Sequence, residues 1–98
     1  MDTVNLVYRR DFAGFSVLYY LTARKVLDES TGAAYDCYGV LLEKFRDGEP
    51  PETAGAFLSE HGEDARRALE MLYVHEVTPV SLYEVIDTVL EKTCGYQL

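Results

Sequence analysis

The chain has 98 residues, 48% hydrophobic and 27% charged, with a net charge of −8 at pH 7. That length suits one domain that buries roughly 60–68% of its unfolded surface and folds without metal or disulfide staples. No stretch reaches the ~20 apolar residues of a membrane span, and Met1-Asp2-Thr3-Val4-Asn5 lacks the basic and apolar regions of a secretory signal, so cytoplasmic residence is expected.

Thr3 to Arg9 alternates as a strand, with Val4, Leu6 and Tyr8 on one side, and Arg10 to Gly14 reads as a turn. Phe15 to Val26 is rich in β-branched and aromatic residues and forms the second strand. Asp28-Glu29-Ser30-Thr31-Gly32 is a second turn, after which Tyr35 to Phe45 supplies a third strand. Short turns between neighbours imply an antiparallel meander. Arg46 to Glu52 contains Asp-Gly and two adjacent prolines and is read as a surface loop, followed by a short fourth strand at Ala54 to Leu58 despite its poor strand formers.

Ser59 is the expected N-cap of a first helix reaching about His75, with Glu63 and Asp64 at its positive end. Ala65, Ala68, Leu69, Leu72 and Tyr73 fall at i, i+3, i+4, i+7 and i+8 and make its apolar face, while Glu63 and Arg67 are spaced to pair outside. Val77-Thr78-Pro79 is a tight link, Pro79 holding Thr78 extended. The second helix is expected to begin at Ser81, where Ser81 and Glu84 spell a capping box, and to bury Leu82, Val85, Ile86, Val89 and Leu90. Glu84, Asp87 and Glu91 lie on its other side. The expected fold is therefore α+β: an antiparallel meander of three to four strands over residues 3–58, two antiparallel helices over 59–92 packed on one face, and a tail at 93–98.

A strand meander containing Tyr38-Gly39-Val40, a first helix, and then Val77-Thr78-Pro79 leading into Leu82-x-x-Val85-Ile86-Asp87 resembles a family of short bacterial proteins, mostly from anaerobic Firmicutes, known only as a domain of unknown function. The likeness runs over about residues 15–92 and rests most specifically on the V-T-P-x-x-L-x-x-V-I-D segment. It implies the fold above and no activity, and it carries over no site residue. Leu41 departs from the family's pattern, which is polar there.

Leu41 matters because period-2 alternation gives the sheet two apolar faces. If Tyr38, Val40 and Leu42 meet the helices, Cys37, Gly39 and Leu41 point away, as do Leu18 and Tyr20 when Phe15, Val17, Tyr19 and Leu21 point inward. A sheet with a solvated face normally alternates apolar with polar. The candidate interaction surface is therefore Leu18, Tyr20, Cys37 and Leu41, for a protein partner that includes a second copy packed sheet to sheet. Isolated exposed apolar residues are the plainer explanation.

Charge divides unevenly. Residues 1–46 carry six acids and six bases, whereas residues 47–98 carry eleven acids against Arg66, Arg67 and Lys92, which places the whole excess on the C-terminal half. Glu84, Asp87 and Glu91 are either a solvated helix back or a stripe for a basic partner. Such a surface repels phosphate backbones, so nucleic acid binding is not expected, although Arg9-Arg10, Lys44, Arg46 and Arg24-Lys25 cluster at strand ends.

Catalytic chemistry finds no footing. His61 and His75 lack metal-ligand spacing, Cys37 and Cys94 belong to no zinc or disulfide pattern, and no serine elbow or phosphate-binding glycine loop occurs. The expectation is a small acidic interaction or regulatory module that is not an enzyme and uses no cofactor. The alternative is a small-ligand or minor enzymatic domain with a pocket between helices and sheet.

Overall fold

The computed structural model describes residues 2–94, with side chains through residue 92. Four strands run in chain order, β1 (Thr3–Phe12), β2 (Phe15–Leu27), β3 (Ala34–Phe45) and β4 (Glu52–Ser59), each antiparallel to the next. They are followed by α1 (Gly62–Val74), a 3₁₀ turn at Pro79–Ser81, and α2 (Leu82–Cys94). This is the expected α+β meander with all four strands formed and both helices on one face. Residues 95–98 of the expected tail lie outside the described residues, and Thr93 and Cys94 belong to α2.

The first hairpin is tighter than its polar residues suggested. Phe12 pairs with Phe15, so only Ala13 and Gly14 turn, and Gly14 takes a φ of 90° that a side chain would resist. Arg10 stays in the strand because its side chain has a place inside the fold. A bulge between Leu6 and Tyr8 further changes the phase of β1: Leu6 pairs with Tyr20 but Tyr8 pairs with Tyr19. Val4 and Leu6 therefore face away from the helices and Tyr8 faces them, which corrects the expectation that all three share a side.

Val17, Tyr19, Val40, Leu42 and Ala54 form the inner face, against Ala68, Leu69 and Leu72 of α1 and Leu82, Ile86 and Val89 at the start and middle of α2. Tyr19, Leu42, Leu69, Leu72 and Leu82 are wholly buried, each stabilising the fold by about 1.5–3 kcal/mol through area removed from water. These side chains fill the helix–sheet interface, the place where a ligand pocket had been the alternative expectation. Both predicted apolar helix faces are borne out, with Tyr73, Val85 and Leu90 half-buried at their margins.

The helix starts differ from their sequence signals. Helix α1 begins at Gly62 with His61 in the N-cap position. Ser59 sits ahead of it, its hydroxyl accepting from His61 N–H (3.0 Å) and donating to Asp64 (2.9 Å), so it braces the approach to the helix. Ser81 makes no capping hydrogen bond with Glu84 either. Thr78 is extended (φ −105°, ψ 165°), buried Pro79 opens the 3₁₀ turn, and the chain is already helical when it reaches Ser81.

Helix α1 ends in a Schellman motif. Glu76 N–H donates to Tyr73 O (3.1 Å) and Val77 N–H to Leu72 O (3.0 Å), with Glu76 in the left-handed region at φ 56° where glycine is usual. Tyr19 Oη then donates to Val77 O (2.8 Å) from a fully buried position. Burial pushes that hydroxyl up to about 12. The link between the helices is thus tied to the middle of the sheet.

Candidate functional site

The outer sheet face is assembled by the register of the four strands. Leu6, Tyr20, Leu41 and Gly55 are successive partners and form one row across the sheet. Val4, Thr22, Gly39 and Phe57 form the next row on one side, and Arg9, Leu18, Glu43 and Thr53 the next on the other. Cys37, opposite Arg24, extends the face toward the β2–β3 turn. Leu18, Tyr20, Cys37 and Leu41 therefore share one surface, as the alternation predicted, and all four are half-buried.

Three further members escaped the sequence reading. Val4 is 53% exposed, Leu6 54% and Phe57 47%, and each stands on this face. Val4 and Leu6 were missed because the bulge at Val7 reverses their side, and Phe57 because its strand neighbours Ala54, Gly55 and Ala56 give the alternation no contrast. For Phe57 the usable signal was alternation counted forward from Ala54 and Ala56.

Gly39 shows how closely this face is built. A Cβ there would meet Ala56 O, and would stand 2.9 Å from Phe57 Cα, so β4 can cross β3 at this point only over a residue without a side chain. A small hollow of about 150 Å³ lies over Thr22, Leu41, Gly55 and Phe57 as a result. Tyr20 Oη donates to Glu43 (2.9 Å) beside it, and burial, followed by that carboxylate, raises the tyrosine above its ordinary range.

The charged groups around the face are mutually satisfied. Asp11 accepts from Ser16 Oγ (2.6 Å) and Arg9 Nε (3.0 Å), which hold its carboxyl below the usual range in that order of effect. This trio rims an open hollow of about 550 Å³ between Phe12, Phe15 and Phe45 at the hairpin end. Lys44 and Arg46 stack on Phe15 at 4.6 and 5.7 Å, and Arg24 on Phe57 at 5.2 Å. Lys25 pairs with Asp36 at 3.6 Å.

Arg10 belongs to the inner side. Its guanidinium lies 4.3 Å from the centroid of the Tyr73 ring, which in turn stacks on Tyr8 at 4.4 Å, and Nη2 donates to Tyr73 O (3.2 Å) at the negative end of α1. It is a structural clamp between sheet and helix. The basic pairs at the strand ends are thus each engaged within the fold.

Glu84, Asp87 and Glu91 are exposed on α2, in the helical layer. The sheet lies between that layer and the apolar face, so the two halves of the predicted interaction surface are separate. On the same helix Tyr83 takes a different role: its hydroxyl donates to Gly55 O (3.0 Å) and accepts from Gly55 N–H (3.3 Å). It thereby covers backbone groups on the free edge of β4 that would otherwise pair with another strand. Among the described residues no group of three His, Cys, Asp or Glu gathers to hold a metal ion, and no helix is long and apolar enough to cross a membrane.

A family model described as a family of unknown function (DUF6514) matches residues 5–92, a span from the first strand through nearly all of the last helix. The chain belongs to the DUF6514 family. The resemblance seen in the sequence is borne out at the level of a family of unknown function. No curated protein and no solved structure matches the chain.

Proposed function

We propose that this DUF6514 member is a small, noncatalytic, cytoplasmic protein-interaction module whose recognition surface is the outer sheet face and whose partner there is a second copy of the chain. The observation that carries this reading is the apolar row Leu6–Tyr20–Leu41, flanked by Val4, Leu18 and Phe57, on a face that none of the described elements covers.

Size supports it. Four strands about 4.8 Å apart with roughly ten residues each at about 3.3 Å give a face of about 600 Å² before side-chain relief is added. A standard interface takes about 800 Å² from each partner. Charge supports a second copy in particular. Arg9, Arg24, Asp11 and Glu43 balance on the sheet face, while the −8 excess resides in residues 47–98. Packing sheet to sheet holds the two acidic helical layers on opposite outer sides, beyond the screening length of about 8–10 Å. Cys37, a free thiol on this face, is at home in a reducing compartment.

Size-exclusion chromatography with light scattering at tens of micromolar is the test. The expected mass is twice the 11.1 kDa of the chain. Leu41→Lys should give a monomer with an unchanged far-ultraviolet spectrum, since the residue leaves the core intact. A monodisperse wild-type monomer would overturn the reading.

A further inference from the structure

Every cation of the sheet half has a carboxylate or an aromatic ring beside it, but the helical half treats its few cations differently. Arg67 and Lys92 have no ion pair among the described residues, and the expected Glu63–Arg67 pair does not form. In a half that carries eleven acids, these are two of only three Lys or Arg residues. Both line the same groove.

The groove runs between α1 and α2 on their solvent side, as two adjoining hollows of about 340 and 400 Å³ that share Met71, His75 and Lys92. Its floor is apolar: Met71, Val74, Val77, Val85 and Val89, with Val74 59% exposed. Arg67 borders one hollow and Ser81 the other, with Lys92 and the His75 imidazole common to both. Glu70 and Glu76 are the acids on the rim, and Glu76 faces Arg10 at 4.0 Å. From Ser81 to Lys92 the helix rises about 17 Å.

We infer that this groove binds a straight-chain fatty carboxylate, its head group on Arg67 and Lys92 and its chain along Met71, Val85 and Val89 toward Ser81. The length matches an extended chain of about twelve carbons. Valine and methionine offer no polar partner along the floor, and methionine adapts its shape to an irregular chain. Arg67 lines only the hollow away from Ser81, so the end where it joins Lys92 holds both cations, which orients the ligand.

The net charge makes the inference easy to test, because a protein of −8 attracts cationic amphiphiles in general. Preference for the anion can come only from local cations. The full chain, labelled with nitrogen-15, is titrated with sodium dodecanoate below its micellar concentration and, separately, with dodecyltrimethylammonium chloride. The expected result is amide shifts at Met71, Val74, Val85 and Lys92, with the carboxylate binding at least about tenfold more tightly. Arg67→Gln with Lys92→Gln, both exposed positions, should abolish that preference while the spectrum stays dispersed; Lys92→Gln alone serves if the pair unfolds. Equal affinity for the two amphiphiles, shifts confined to the outer sheet face, or no shift into the millimolar range would each overturn it. None of these outcomes bears on sheet-to-sheet association, which light scattering reads separately.

Discussion

The two faces of the same sheet carry similar side chains and meet different fates. Val17, Tyr19 and Leu42 point inward and are wholly buried, whereas Leu18, Tyr20 and Leu41, their immediate neighbours in sequence, point outward and stay half-exposed. Even the tyrosines divide: the Tyr19 hydroxyl fastens a helix link and the Tyr20 hydroxyl binds a surface carboxylate. Residue type therefore does not decide what these positions do. Coverage does, since two helices of 13 residues each can lie over only one face.

The sharpest way to break this comparison is to truncate neighbours. Leu42→Ala should cost about 2–5 kcal/mol in urea unfolding, because it opens a cavity in the core beneath the helices. Leu41→Ala, measured at a protein concentration low enough to hold monomers, should cost less than about 1 kcal/mol. Equal losses would mean that the outer face is as well packed as the inner.

Gly39→Ala probes the outer position where backbone crowds backbone most closely. Its new methyl group has nowhere to go against Ala56 and Phe57, and destabilisation of about 1–3 kcal/mol is expected. Tyr83→Phe should lose about 0.5–1.5 kcal/mol by removing the hydroxyl from Gly55, and should also make β4 more prone to pair with other chains, visible as aggregation on concentrating. Glu76→Gly works in the opposite direction. Relieving a left-handed residue should raise stability by about 0.5–1 kcal/mol, less whatever its 4.0 Å contact with Arg10 contributes.

The last expectation is a pH dependence confined to alkaline solution. Tyr19 is raised from 10.0 to about 12 in the folded state, so the unfolded chain releases its proton first. The stability it contributes is complete below pH 10 and is lost as the pH rises through about 12. Tyr19→Phe should flatten that part of the alkaline unfolding curve. The outer-face Tyr20, changed to Phe, should alter it less.

Local sequence determined the helix faces, the antiparallel order and the existence of two apolar sheet faces, because each follows from a period of 3.6 or 2 that neighbouring residues alone can express. Leu18, Tyr20, Cys37 and Leu41 were legible as one surface for that reason. The helix starts were not, since Ser59 and Ser81 carry capping chemistry but Asp64 and Pro79 decide how it is used. The side on which Val4 and Leu6 stand was hidden too. A bulge has no period; it exists only as a mismatch between two strands, and Val7 and Leu58 show it only once β2 and β3 lie beside them. The gathering of Arg67, His75 and Lys92 likewise spans two helices, and only their packing brings it about.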